Sequence, residues 1–321
     1  MTRENVPMEA LQAQTKTLSR LAALAGSLFL SAAALAEPVA VADGALHEGS
    51  IESSNERITI GTGATVDGDL ESRNALISIG DQARVGNVDS RNGRISIGSD
   101  ARVGGITTRN GEISVGAGSI AGGVESRNGT VILGDAAEVA SIRTRNGAIQ
   151  LGAGSIVNAA LASRNGSLTI GSDSQIAGAI ETRNGDVALK SGASVGGRIE
   201  TRNGGVSLNS AHVDQTIKTR YGDIRLQGES SVAGDLVIEI VDESAGPSWM
   251  SWSSDFSDGG EIRVGDSAIV EGSIRVILDE SFDAAPPRVI VEAGGRVMGS
   301  IDADPRSEVI VEGDVMGSPG S

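Results

Sequence analysis

Arginine recurs at positions 73, 91, 109, 127, 145, 164, 183, 202 and 220, always 18 or 19 residues apart, and Asn follows it each time except at Tyr221. So short a period constrains the fold strongly, because a unit of this size cannot bury an apolar side alone and must be covered by its neighbours. Aligned, the unit reads x-[ST]-R-N-G-x-[IV]-x-[ILV]-G-x-x-[AS]-x-V-x-G-x-[IVL], and it reaches back once more to Ser54-Asn55. Eighteen residues leave no room for a helix pair, and the apolar alternation around each Gly has the period of two that marks strands. In "NGEISVG" Ile113 and Val115 point one way and Glu112 and Ser114 the other. In "GVESRNG" the same parity sends Val124, Ser126 and Asn128 inward and Glu125 and Arg127 to water.

Three short strands and three bends per unit make one coil of an all-β fold, a single-stranded parallel β-helix (β-solenoid). Either hand satisfies the spacing. Coils stack about 4.8 Å apart and enclose a narrow bore. Composition agrees: aromatics are 2% of the chain, and Val, Ile, Leu and Ala supply the apolar volume, whereas an inward Trp would overpack such a bore. The spacing switches from 18 to 19 where the middle arm meets the next: Val195 to Ile199 is one residue longer than Val103 to Ile106. The extra residue is expected at that corner.

Along the chain, residues 1–36 read as a signal peptide: Lys16 and Arg20, an apolar run from Leu21, then Ala34-Leu35-Ala36. Cleavage would make Glu37 the first mature residue, in the periplasm or outside the cell. No later stretch approaches the roughly 20 apolar residues of a membrane span, so no transmembrane span is expected after cleavage. Residues 37–50 read as a lead-in or cap, 51–241 as the regular β-helix, and 242–260 as a polar insertion carrying Trp249 and Trp252. Residues 261–321 read as irregular coils and a cap: two full coils and one partial, with longer corners and without Arg-Asn-Gly.

The full chain carries a net charge of −16, and removing residues 1–36 takes away three basic and two acidic residues, leaving −17. That surface argues against nucleic acid as a partner. With no Cys and only His47 and His212, thiol chemistry is excluded, neither His has a recurring partner, and neither a His-based triad nor a metal site is expected. No cofactor is implied. "SDFSDGGE", 254 to 261, lacks the Asp-x-Asp-x-Asp-Gly spacing of a calcium loop.

The Asn residues (Asn74, Asn92, Asn110, Asn128, Asn146, Asn165, Asn184 and Asn203) are read as structural corners. Asn tolerates and Gly prefers left-handed backbone angles, and stacked carboxamides can bond along their column. The Arg column is expected to pair with carboxylates two positions earlier (Glu71, Asp89, Glu125, Glu181 and Glu200). That acidic column breaks at Thr107, Arg143, Ala162 and Lys218. Arg143, Arg145 and Arg164, near the break, are the candidate anion-binding residues. Trp249 and Trp252 are candidates for a contact surface or for a loop folded over the stack.

Runs such as "IGSDSQIAGAIETRNGDV" and "VGDSAIVEGSI" resemble the bactofilin family of polymer-forming β-helix proteins, over most of 51 to 241 and again near 262 to 315. They are also similar to exported proteobacterial repeat proteins in which a [TS]-x-N-G corner recurs. The bactofilin resemblance implies end-to-end association without a nucleotide. The export signal and the regular Arg-Asn-Gly corner depart from that family, which puts a cytoskeletal role in doubt. The expectation is therefore a non-enzymatic structural or scaffold rod of the cell envelope, 50 to 60 Å long from 11 or so coils, self-associating end to end. The alternative is a module binding an envelope polysaccharide or a partner protein through the Arg column or the Trp loop.

Overall fold

A computed structural model describes residues 39–240, 260–280, 282 and 284–317. Every strand pairing in them is parallel and joins one coil to the next, which makes a β-solenoid of about 13 turns. Each full coil contributes three short strands, one to each of three faces. In one coil these are Ile95–Ile97, Arg102–Val103 and Ile106–Thr108. The first face is a 14-stranded sheet; the second and third merge where Ile120–Ser126 and Glu138–Thr144 run through the corner between them.

Register follows the sequence period. Ile77 lies on Ile95, Ile95 on Ile113 and Ile113 on Val131, so one inward column is written by one position of the repeat. These side chains are fully buried, and the core contains only Val, Ile, Leu and Ala. The 19-residue coils add their residue at the corner between second and third faces: Glu138 pairs with Ile156, 18 on, but Ile142 pairs with Leu161, 19 on.

The stack starts earlier than residue 51. Val39–Val41 and Leu46–Glu48, in the stretch read as lead-in or cap, already pair in register with the next coil. At the other end Ile224 pairs with Ile262, Ile262 with Val289 and Val289 with Val309, giving two full coils and a partial one beyond the regular stack. The rod is therefore longer than 11 coils would give, about 60 Å at roughly 4.8 Å per coil. The longer segments, between Ile240 and Glu261 and between Leu278 and Arg288, both leave at one corner, the one Arg-Asn-Gly makes in the regular coils.

The left-handed backbone sits elsewhere than expected. Positive φ runs up the corner between first and second faces, through Gly63, Gln82, Asp100, Gly118, Ala136, Gly154 and Asp173. The glycines of Arg-Asn-Gly have no positive φ. They are required by close approach: a Cβ on Gly111, Gly129 or Gly147 would overlap the carbonyl oxygen of the glycine one coil earlier.

Candidate functional site

The corner between third and first faces is built from the strand end outward. In the strand Ile120–Ser126, Ser126 is the last inward residue, and its buried hydroxyl accepts the Gly129 amide at 2.9 Å. Ser90 and Thr144 do the same for Gly93 and Gly147, at 2.9 and 3.1 Å. These hydroxyls satisfy amides that would otherwise be buried without a partner.

Past the hydroxyl the strand parity ends, and Asn128 is exposed instead of turning inward with Val124 and Ser126. Its column forms a ladder on the outside of the corner. Asn74 donates to Asn55 at 2.9 Å, Asn92 to Asn74 at 2.7 Å, and the bonds continue through Asn110, Asn128, Asn146, Asn165 and Asn184 to Asn203, which donates to Asn184 at 2.7 Å. The carboxamide column read from the sequence is thus present, facing solvent. Tyr221, at the next Asn position, is partly buried against the core.

The arginines stand one residue before each Asn, in the bend. Among the described residues, none of the seven from Arg73 to Arg183 forms an ion pair, which overturns the expected salt-bridge face. Glu125 and Arg127 are both exposed and line the same trough, as the parity implies, but Glu125 meets Arg143 one coil on and not Arg127. The acids pair elsewhere or with no base: Glu125 lies 3.8 Å from Arg143, and Glu181 and Glu200 hold Arg198 at 2.9 and 3.1 Å. Burial, against the pull of a Thr107 hydrogen bond, raises the pKa of Asp89 from its ordinary value, and Glu71 and Asp69 raise it further. Near the top of the column, burial lowers the pKa of Arg202, and repulsion from Arg183 and Arg220 adds to it.

Arg143, Arg145 and Arg164 do come together. They line one open trough on this corner, and Arg143 and Arg164 also line its continuation toward Arg183 and Arg198. Thr107, Arg143 and Ala162 are consecutive but for Glu125 on the neighbouring outward column, so the carboxylate wall is thinnest there. Trp249, Trp252 and most of 254 to 261 lie outside the described residues.

One constellation escaped the sequence reading. His212 has two partners: its Nδ1 lies 2.6 Å from Ser231 Oγ and its Nε2 2.6 Å from Asp214 Oδ1. Ser231 is one coil above His212, so column alignment, not local sequence, was the signal. The three residues stand in the order of a catalytic triad, but the nearby amides are spent in the sheet. His212 N–H donates to Ala193, Asp214 to Val195, Ser231 to Ala211 and Ile269 to Ser230. None of these amides is left to stabilise an oxyanion. Among the described residues no group of three or more His, Asp or Glu could hold a metal ion, and no helix is long and apolar enough to cross a membrane.

The fold defines a repeat protein of the parallel β-solenoid class with a cationic corner. Comparison with family models, curated proteins and solved structures finds no match to the chain.

Proposed function

We propose that the chain is a non-enzymatic structural rod of the cell envelope that associates end to end through its C-terminal coil. The observation that carries this reading is the exposed inward column of the C-terminal coil; the first coil exposes Leu46 as well, at 65%, but on an outward position of its second face. In the first coil Val41 and Ile51 are buried, whereas in the last strand of the first face Val309 and Val311, in register with buried Val289 and Val291, are 43% and 45% exposed, and Met316 is 60% exposed. Among the described residues the strands of the last coil are paired on one side only, and an unpaired strand edge is a template for another chain. A second copy related by a twofold axis would cover both, since an isologous contact is self-complementary. The signal-like segment supports an envelope location, and the bactofilin-like repeats support association.

Sedimentation of the purified chain over a range of concentrations tests this. The expected result is a species of doubled mass that Val309→Glu with Val311→Glu returns to the single mass. A single-mass species at every concentration would overturn the proposal.

A further inference from the structure

We propose that the arginine column is a longitudinal binding site for an extended acidic polysaccharide lying along the solenoid axis. Seven guanidinium groups, Arg73 to Arg183, rise one per coil over about 29 Å at roughly 4.8 Å per step, and none forms an ion pair among the described residues. The chain has 42 acidic against 26 basic residues, so carboxylates are plentiful, yet of those beside the column Glu125 pairs with Arg143, Glu181 and Glu200 pair with Arg198, and Glu71 and Asp89 form no ion pair among the described residues. A column of like charge left unpaired on an acidic protein is relieved by an outside anion whose charges repeat along the same axis.

The spacing and the neighbouring chemistry select the polymer. Duplex DNA carries one charge per about 1.7 Å of axis, nearly three for each guanidinium, and the surplus would face the acidic column. Single-stranded nucleic acid takes much of its affinity from stacking on aromatic rings, and among the described residues those lining the trough include no aromatic side chain. A polyuronate carries one carboxylate per sugar ring, a repeat of the same order as the coil rise. Beside every guanidinium stands a rung of the Asn ladder. Each carboxamide spends one N–H and one oxygen lone pair on its neighbours, and its second N–H and second lone pair remain for sugar hydroxyls. The ladder bonds fix this donor array before a ligand arrives, which lowers the cost of binding. Glu71, Asp89, Glu125, Glu181 and Glu200 line the other side of the same trough and repel the polymer, which confines it to the Arg and Asn columns. Arg145 and Arg164, beside the thinnest part of the acidic wall, form the centre of the site.

The test is titration of the full chain with de-esterified polygalacturonate at low salt. Arg145→Ala with Arg164→Ala is expected to weaken binding about tenfold or more. Arg84→Ala with Arg102→Ala removes the same charge from the second face, where both arginines are exposed, and is expected to change binding by less than about twofold. Circular dichroism and the urea midpoint of each variant confirm the fold. Equal losses in the two pairs, no binding by the unaltered chain, or tighter binding of an oligothymidylate would each overturn the proposal. The column lies along the side of the rod and not at its end, so binding is independent of end-to-end association.

Discussion

The carboxamide of Asn128 donates to Asn110 at 2.6 Å and accepts from Asn146 at 2.7 Å, one coil to either side. It is an interior rung of a ladder whose last rung, Asn203, donates to Asn184 and has Tyr221 at the next Asn position. Asn128→Ala removes two bonds and Asn203→Ala one. With net values of about 0.5 to 1.5 kcal/mol per bond, urea unfolding should show roughly twice the loss at Asn128. Equal losses would mean that the ladder is decoration on a stack held by its backbone alone.

Two glycines of one coil predict different costs for the same substitution. Gly154 has φ +65° and nothing within 4 Å of a built Cβ, so Gly154→Ala should cost about 1 to 2 kcal/mol, the penalty of a left-handed residue. Gly147 has no such φ, but its Cβ would overlap the Gly129 carbonyl oxygen. Because coils cannot separate without breaking the sheet, Gly147→Ala should cost more than about 4 kcal/mol or prevent folding. Thermal melts of the two variants distinguish steric contact from backbone strain.

Like charges one coil apart repel by nearly 1 kcal/mol in water. Since Arg109 has no ion pair among the described residues, Arg109→Gln should raise the unfolding midpoint slightly at low salt and lose that effect near 1 M salt, where screening acts within about 3 Å. A fall in midpoint at low salt would reveal a stabilising partner for the guanidinium.

The C-terminal coils should weaken in acid. A hydrogen bond from Arg263 holds the Glu261 carboxyl below its usual range against burial, with the charges of Arg263, Arg225 and Arg288 assisting. Asp304 is lowered to about 2, chiefly by its hydrogen bonds with Arg306. A depressed folded pKa means that the unfolded chain binds more protons in the intervening window. The stabilisation is therefore present above the unfolded value of about 4 and lost as pH falls through the folded one. Asp89, shifted upward, acts in the opposite sense, losing stability as pH rises from its unfolded to its folded pKa. Urea midpoints between pH 6 and 3 should fall less steeply in Glu261→Gln than in the unaltered chain.

The coil was legible because Ile113 and Val115 alternate with polar residues and recur in step, and the Val195 to Ile199 interval already marked the corner that takes the extra residue. The outer corner was not, because strand parity was extended past Ser126 into a bend where it no longer holds. That error turned Asn128 inward, whereas Glu125 and Arg127 are both exposed as the parity implied. The left-handed column was hidden because Gln82, Asp100 and Ala136 occupy it alongside glycines, whereas the conspicuous Gly of Arg-Asn-Gly serves close approach instead. Asp214 lies two residues from His212, but Ser231 lies 19 away and becomes a neighbour only when coils stack, which hid the three-residue arrangement.

Electron micrographs of the purified chain at increasing concentration test the proposed function most directly. Rods of about 60 Å at roughly 4.8 Å per coil should give way to rods of twice that length, and Val309→Glu with Val311→Glu should hold them at the single length. Rods that stay single at every concentration, or that join side by side, would contradict an end-to-end role for the exposed C-terminal coil.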